Sequence, residues 1–333
     1  MRRAITMMIS MPQLPALRLE PILREYLWGG RRLGSELGKP IGSGDHYAES
    51  WEIVDHGADQ SVVAEGPLAG RTLHAIVTRQ GEALLGRNYP QRQFPLLFKF
   101  LDACQTLSVQ VHPNDAQAAK LHPPDLGKTE AWVVLAADPG SKIYAGLKPG
   151  VDRRRLADTV ARGDCDECLH AFEPAVGDAI LIAAGTVHAI GAGLMIAEIQ
   201  QASDTTFRLF DWNRVDRDGR PRPLHVEQAL EAIDFSRGPV DPCQPQAAER
   251  PHVERLVACD KFVLDRWQFD QPTPLETNDR FHILSVVEGA LDVSESGADH
   301  AMRRGSTLLI PASCQDVRLA PQDRAVLLDM YLP

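Results

Sequence analysis

Apolar and polar residues alternate along L-S-V-Q-V-H, residues 107–112, where Leu107, Val109 and Val111 interleave with Ser108, Gln110 and His112. Successive side chains of a β-strand point to opposite faces. The pattern therefore predicts a strand with one apolar face and one face bearing a hydroxyl, an amide and an imidazole. Short strand-like runs recur at 46–54, 130–135, 142–147, 179–182, 194–199 and 205–210, separated by glycine, proline and Asx clusters. More follow at 262–269, 282–287, 290–293, 306–310 and 325–331. Many short strands with turn residues between them predict an antiparallel sandwich or barrel.

Helical periodicity interrupts this pattern at 72–85, 151–163 and 226–233, with Asp152 placed to cap the second helix and Gly163 to stop it. Between 236 and 251 the sequence S-R-G-P-V-D-P-C-Q-P-Q-A-A-E-R-P keeps neither period and reads as a linker. The expected division is thus 14–235, a connection at 236–251, and 252–333. A short internal repeat supports two related β-units. V-G-D-A-I-L-I-A-A-G-T-V-H at 176–188 parallels R-G-S-T-L-L-I-P-A-S-C-Q-D at 304–316, aligning Gly177 with Gly305, Ile182 with Ile310 and His188 with Asp316. The first copy ends in histidine, a candidate metal ligand, and the second does not.

Composition narrows the function. The chain has 333 residues, 44% of them hydrophobic, which is enough for a large core. Its formal charge of −10 and the lack of a basic run argue against a nucleic-acid partner. A small anion would need locally placed Lys or Arg. No run reaches membrane-spanning length. The start, M-R-R-A-I-T-M-M-I-S-M-P, reads as a frayed leader over residues 1–13, with Met11 as an alternative start. Six scattered cysteines, at 104, 165, 168, 243, 259 and 314, do not form a disulfide framework. Reduced thiols in a cytoplasmic protein are expected. The C-D-E-C run at 165–168 lacks a second pair and reads as free thiols in a loop.

Gln110 and His112, two apart, share a strand face; Glu130 opens another strand in G-K-T-E-A-W, and His188 closes G-T-V-H. Two imidazoles and a carboxylate can form a catalytic zinc set with room for water or substrate, and the Gln110 amide oxygen offers a fourth ligand. A dication with one carboxylate leaves net positive charge, suited to an oxyanion. With 11 histidines in the chain, ordinary core or surface histidines are the competing reading.

Several blocks together resemble the type I mannose-6-phosphate isomerases, a zinc-dependent family with a cupin fold. They are Y-L-W-G-G at 26–30, A-E-S-W-E at 48–52, F-P-L-L-F-K-F-L-D-A at 94–103 and T-L-S-V-Q-V-H-P-N-D at 106–115. G-K-T-E-A-W at 127–132, G-T-V-H-A-I-G-A-G at 185–193 and E-I-Q-Q-A-S-D-T-T-F-R-L-F-D-W-N-R at 198–214 complete the set, in the family's order. The length looks like the shorter bacterial branch. The resemblance implies a mainly β protein: a double-stranded β-helix (jelly-roll barrel) with a few inserted helices at 14–235, and a second, degenerate cupin-like unit without metal ligands at 252–333. It implies one zinc ion per chain, held by Gln110, His112, Glu130 and His188. Arg208 matches an active-site arginine, Lys128 and Glu198 match cavity residues, and Ser108 and Lys99 match positions near the substrate phosphate. Ala183 stands where the cupin pattern usually has proline, which would stiffen the turn but supplies no ligand.

The implied reaction interconverts mannose 6-phosphate and fructose 6-phosphate through an enediol. Glu130, as a metal ligand, would be a poor base; the proton carrier is left between Lys128 and Glu198. The expected partner is a small sugar phosphate, with neither nucleic acid nor membrane, and a monomer or homodimer. Two other classes compete: a non-catalytic sugar-phosphate-binding bicupin, and a cupin oxygenase with iron on two histidines and a carboxylate. The complete set of Gln110, His112, Glu130 and His188 with Lys128 and Arg208 favours the isomerase over the binding module, and the resemblance of the Arg208 and G-K-T-E blocks speaks against the oxygenase.

Overall fold

β-branched and aromatic residues in runs of two to nine build the strands that outweigh helix in this chain. The structure, a computed structural model, describes residues 13–215 and 219–333. The leader reading falls almost wholly on residues 1–12, outside the described residues. The first strands are β1 (Ile22–Gly30), β2 (Tyr47–Ile53), the hairpin strands β3 (Asp55–His56) and β4 (Asp59–Gln60), β5 (Leu96–Ala103), β6 (Val109–Val111), β7 (Glu130–Ala137), β8 (Ile143–Leu147), β9 (Leu169–Phe172), β10 (Ala179–Ile182), β11 (His188–Ile190), β12 (Leu194–Gln201) and β13 (Phe207–Phe210). Apart from β3 and β4, which pair only with each other, they form a six-stranded sheet, β1-β2-β5-β12-β7-β10, facing a five-stranded sheet, β13-β6-β11-β8-β9, with antiparallel pairing throughout.

The remaining strands are β14 (Gln246–Ala247), β15 (Val253–Ala258), β16 (Val263–Phe269), β17 (Thr273–Leu275), β18 (His282–Glu288), β19 (Ala290–Glu295), β20 (Ala298–Arg303), β21 (Thr307–Ile310), β22 (Val317–Pro321) and β23 (Ala325–Tyr331). They repeat the plan as β14-β15-β16-β23-β18-β21 facing β17-β22-β19-β20. The architecture is that of two cupin barrels. The short repeat lands on equivalent strands: Ile182 of β10 pairs with Glu130, and Ile310 of β21 pairs with His282.

The helices are α1 (Arg32–Ser35), α2 (Leu73–Leu85), α3 (Asp115–Ala118), α4 (Arg153–Arg162) and α5 (Val226–Ala232). The Asp152 side chain caps α4 by accepting from Arg155 N at 2.8 Å, and Gly163 ends it in the left-handed conformation. Leu156, Leu230 and Ile233 from α4, α5 and the residue after α5 pack with Val109, Val111 and Leu209 on the outer face of the five-stranded sheet. Cys165 and Cys168 join this core in a 3₁₀ turn, so these free thiols are buried rather than set in an open loop. Of the strand expected at 107–112 only Val109–Val111 keeps ladder geometry; ahead of it the Leu107 carbonyl is engaged by Trp212 Nε1.

Strand alternation sets both barrels. Met195, Ala197 and Ile199 of β12 face outward into a core shared with Ile283, Leu309, Leu328 and Met330 of the second barrel. Leu194, Ile196, Glu198 and Gln200 take the opposite face, toward the interior of the first barrel. With both faces buried, such strands read as nearly continuous apolar runs. The two six-stranded sheets therefore pack back to back. No helix among the described residues is long and apolar enough to cross a membrane.

Candidate metal centre

The first barrel closes on three strand ends. His112 follows β6 directly, Glu130 opens β7 and His188 opens β11. Their ligand atoms all lie within 4.8 Å of one another, and all three side chains are buried. His112 Nε2 and His188 Nε2 each lie 3.4 Å from a different Glu130 oxygen. The turn at 183–187 ties these ends together: Gly185 N donates to His112 O at 2.9 Å, and Ala184 N donates to Thr129 Oγ1 at 3.2 Å. Gly185 is left-handed (φ 86°), which this turn requires. Thr186 N donates to Ala183 O at 3.0 Å, so the turn closes without the proline of the usual pattern.

The imidazole tautomers are fixed from outside the cluster. His112 Nδ1 lies 2.9 Å from Thr205 O, and His188 Nδ1 lies 2.9 Å from Thr186 O. A carbonyl can only accept, so both Nδ1 atoms carry the proton and both Nε2 lone pairs face Glu130. Burial drives both imidazoles toward the neutral form; it outweighs the Glu130 charge and holds His188 at about 3. Glu130, although buried, is held well below the usual carboxylate range by Lys128 and the two histidines. Two neutral imidazoles and an ionised carboxylate are a donor set that fits a divalent ion. The Gln110 amide completes the ring, with Nε2 3.3 Å from His188 Nε2; turning that amide presents its oxygen to the same point.

A chain of charges runs inward from this set. Lys128 Nζ hydrogen-bonds Glu130, lies 3.1 Å from His112 Nε2 and 3.6 Å from Glu198 Oε1. Lys99 Nζ sits 3.2 Å from Glu198 and 3.5 Å from Glu49. Glu198 Oε2 accepts from Trp132 Nε1 at 3.0 Å, and Glu49 accepts from Trp51 Nε1 at 2.6 Å. Glu198 Oε1 is at ion-pair distance from both lysines yet has no partner in hydrogen-bond geometry among the described residues. Two lysines against three glutamates leave one net negative charge in a water-poor barrel, which a dication would reverse. Burial and Glu130 push the Glu198 carboxyl up, while Glu198, Glu49, Asp204 and Glu130 hold Lys99 charged despite its burial.

Arg208 of β13 pairs in register with Gln110 and so lies on the same sheet face. Its Nη1 donates to Pro223 O at 2.9 Å; it makes no ion pair among the described residues, and its Nε is buried without a partner. Ser108 is buried two residues before Gln110, on the face that also carries His112, while Val109 and Val111 pack behind. Lys99 is enclosed by carboxylates rather than open to an anion. Sequence reading missed Glu49, Trp51 and Trp132 as members of this cluster. Their signal was present in A-E-S-W-E and G-K-T-E-A-W, where Glu49 and Trp51, or Glu130 and Trp132, alternate onto one face.

Fold and donor set together define a bicupin protein with one barrel able to hold a metal ion. Residues 16–129 match the family described as phosphomannose isomerase type I, catalytic domain, and residues 252–327 match mannose-6-phosphate isomerase, cupin domain. Mannose-6-phosphate isomerase of Streptococcus mutans is 35% identical over 293 residues, covering 88% of this chain and 91% of that protein. The chain belongs to the type I mannose-6-phosphate isomerase family and is an isomerase of that family. Mannose-6-phosphate isomerase ManA of Bacillus subtilis is 33% identical, covering 90% of this chain and 94% of that protein. The crystal structure of mannose 6-phosphate isomerase from Bacillus subtilis superposes with a TM-score of 0.88 at 26% identity, over 96% of this chain and 100% of that one. A variant of phosphomannose isomerase from Salmonella typhimurium, 17% identical with a TM-score of 0.78 over 96% of this chain and 100% of that one, shares the fold.

Proposed function

We propose that this chain is a zinc-dependent aldose–ketose isomerase that interconverts mannose 6-phosphate and fructose 6-phosphate through an enediol. The carrying observation is the convergence of two imidazole lone pairs and one carboxylate inside the first barrel, beside Lys128, Glu198 and an arginine with no carboxylate partner among the described residues. Zinc, held by Gln110, His112, Glu130 and His188, would supply a Lewis acid to the C1 and C2 oxygens of the open-chain sugar.

The chain's own residues divide the remaining work. Glu130 binds the ion and is withdrawn from proton transfer. Lys128 and Glu198 lie within 3.6 Å of each other and are the groups suited to take a proton from one carbon and return it to the other. Trp132 holds one Glu198 oxygen and leaves the other, which lies between the two lysine ammoniums, for this purpose. Arg208 stabilises the oxyanion that develops along the enediol. Ser108 serves the phosphate end by hydrogen bonding; Lys99 can join it only by loosening its pairs with Glu49 and Glu198. In this reading residues 14–235 are the catalytic unit, 236–251 the connection, and 252–333 a barrel without metal ligands.

The test is a coupled isomerase assay on mannose 6-phosphate before chelation, after verified metal removal, and after adding zinc back. Activity lost and then restored, with one zinc bound per chain, is the expected result. Full turnover by metal-free protein would remove zinc from the reading. Absence of turnover by folded, zinc-loaded protein would remove the substrate.

A further inference from the structure

The second barrel has an apolar core, but one part of its interior is polar. The registers show how. In the first barrel Glu198 of β12 pairs with Lys99 of β5, and Glu130 opens β7 opposite Ile182. In the second, Asp329 of β23 pairs with Asp265 of β16, and His282 opens β18 opposite Ile310. Asp329, Asp265 and His282 thus occupy the places of Glu198, Lys99 and Glu130. All three are buried, as is Tyr331.

This set does not hold a metal. His282 Nδ1 lies 2.8 Å from Asp329 Oδ1, and its Nε2 lies 3.2 Å from Thr277 O. Both partners are acceptors, so both ring nitrogens donate, the ring is cationic, and no lone pair remains for an ion. Asp265 accepts from Arg255 Nε at 2.5 Å and from Tyr331 OH at 2.8 Å. Each buried carboxylate is therefore already matched by one cation. Its remaining lone pairs suit neutral donors rather than another cation.

These groups line a cavity of about 410 Å³, within the usual range for small-molecule pockets. Trp267 in its wall has a buried indole N–H without a partner among the described residues. Arg250 lies over the Trp267 ring at 5.3 Å and is paired with Glu276 at 3.2 Å. Arg280 lies over the Tyr331 ring at 5.3 Å, makes no ion pair among the described residues, and has a buried Nε with no partner. Glu249, the remaining charged group of the lining, is exposed. The cavity thus offers charge-matched carboxylates and an indole N–H to hydroxyl groups, and one uncommitted guanidinium to an anion. A simple anion would meet the carboxylates unfavourably; a neutral polyol would leave Arg280 unused.

We propose that the second barrel is a ligand site for a small polyol bearing one anionic group, of the sugar-phosphate class, with the hydroxyls on Asp265, Asp329 and Trp267 and the anion on Arg280. The site does not depend on chemistry in the first barrel. The chain's five tryptophans allow the two barrels to be read separately, since Trp51 and Trp132 belong to the first interior and Trp267 to the second. Full-length protein labelled with 5-fluorotryptophan, its resonances assigned with single Trp→Phe variants, is titrated with glucose 6-phosphate, glucose and inorganic phosphate. Glucose 6-phosphate is expected to move the Trp267 resonance saturably and more tightly than either fragment. Arg280→Ala should weaken that response at least about tenfold while leaving any response at Trp51 and Trp132 intact. An unmoved Trp267 resonance overturns the proposal. Equal binding of inorganic phosphate alone means an adventitious ion only, and undiminished binding by the variant removes the anion contact.

Discussion

Glu130 faces two imidazoles and one ammonium in a buried space, so losing its charge has two separable effects. Glu130→Gln keeps the shape but leaves the Lys128 ammonium with Glu198 as its nearest carboxylate, 3.6 Å away. Breaking a buried pair on one side costs about 3–5 kcal/mol, and a thermal melt of metal-free protein should show that loss. Metal retention should fall by more than about 100-fold, since changes to groups that only support ligands already cost about 10–100-fold; metal content after dialysis checks this. Arg208 differs in kind, because no ion pair among the described residues depends on it. Arg208→Lys should lower kcat about 100-fold with little change in KM or melting temperature, since the fork geometry matters only as charge develops. A change confined to KM would instead place Arg208 at the phosphate.

At the scale of elements, the ligands are held by loops that are themselves anchored. Asp125 accepts from Ser203 Oγ at 2.8 Å, Thr205 Oγ1 at 2.6 Å and Leu126 N at 2.8 Å, and lies 3.0 Å from His56 Nε2. It thereby fixes Thr205, whose carbonyl orients His112. Burial would raise the Asp125 pKa, but bonds from His56, Thr205 and Ser203 prevail and hold it down to about 2. A folded pKa below the unfolded value of about 3.9 contributes stability above that value, and the contribution is lost as pH falls toward about 2. Asp125→Asn should therefore melt below wild type at neutral pH, with the difference shrinking between about pH 5 and about pH 2. It should also weaken metal binding about tenfold through His112. A melting difference that does not change with pH would sink this account. None of this clamp was legible in the sequence, because its members come from four distant segments. The helices α2, α4 and α5 were legible, since period and caps are local, as were His112, Glu130 and His188, each at a strand end within a short motif. β5 gave no alternation to read: Phe98 and Phe100 are buried outward, and Leu97, Lys99 and Leu101 inward.

For the whole molecule, the decisive feature is that the two barrels share one core rather than merely touching. Phe94 and Phe281 pack with ring centroids 4.7 Å apart, both buried, and the outward side chains of β12 and β5 join those of β18, β21 and β23. Leu17 adds a backbone bridge to Leu309 across almost the full length of the chain. The linker-like composition at 236–251 suggests two units joined loosely, because sequence patterning reports each strand's buried faces but not which element covers them. Energetically the barrels should behave as one. Phe281→Ala should cost about 3–5 kcal/mol and shift a single cooperative denaturant transition in full-length protein, without splitting it. Because Phe281 lies in the inter-barrel core and not among the metal-set residues, kcat of the folded variant should match wild type. A chain ending at residue 251 would leave Phe94, Leu84 and Ile199 without their partners in the second barrel, and should bind a hydrophobic dye and fail to retain metal. Two resolved transitions in the full chain, or an active first barrel after that truncation, would show instead that the shared core contributes little and that the first barrel folds on its own.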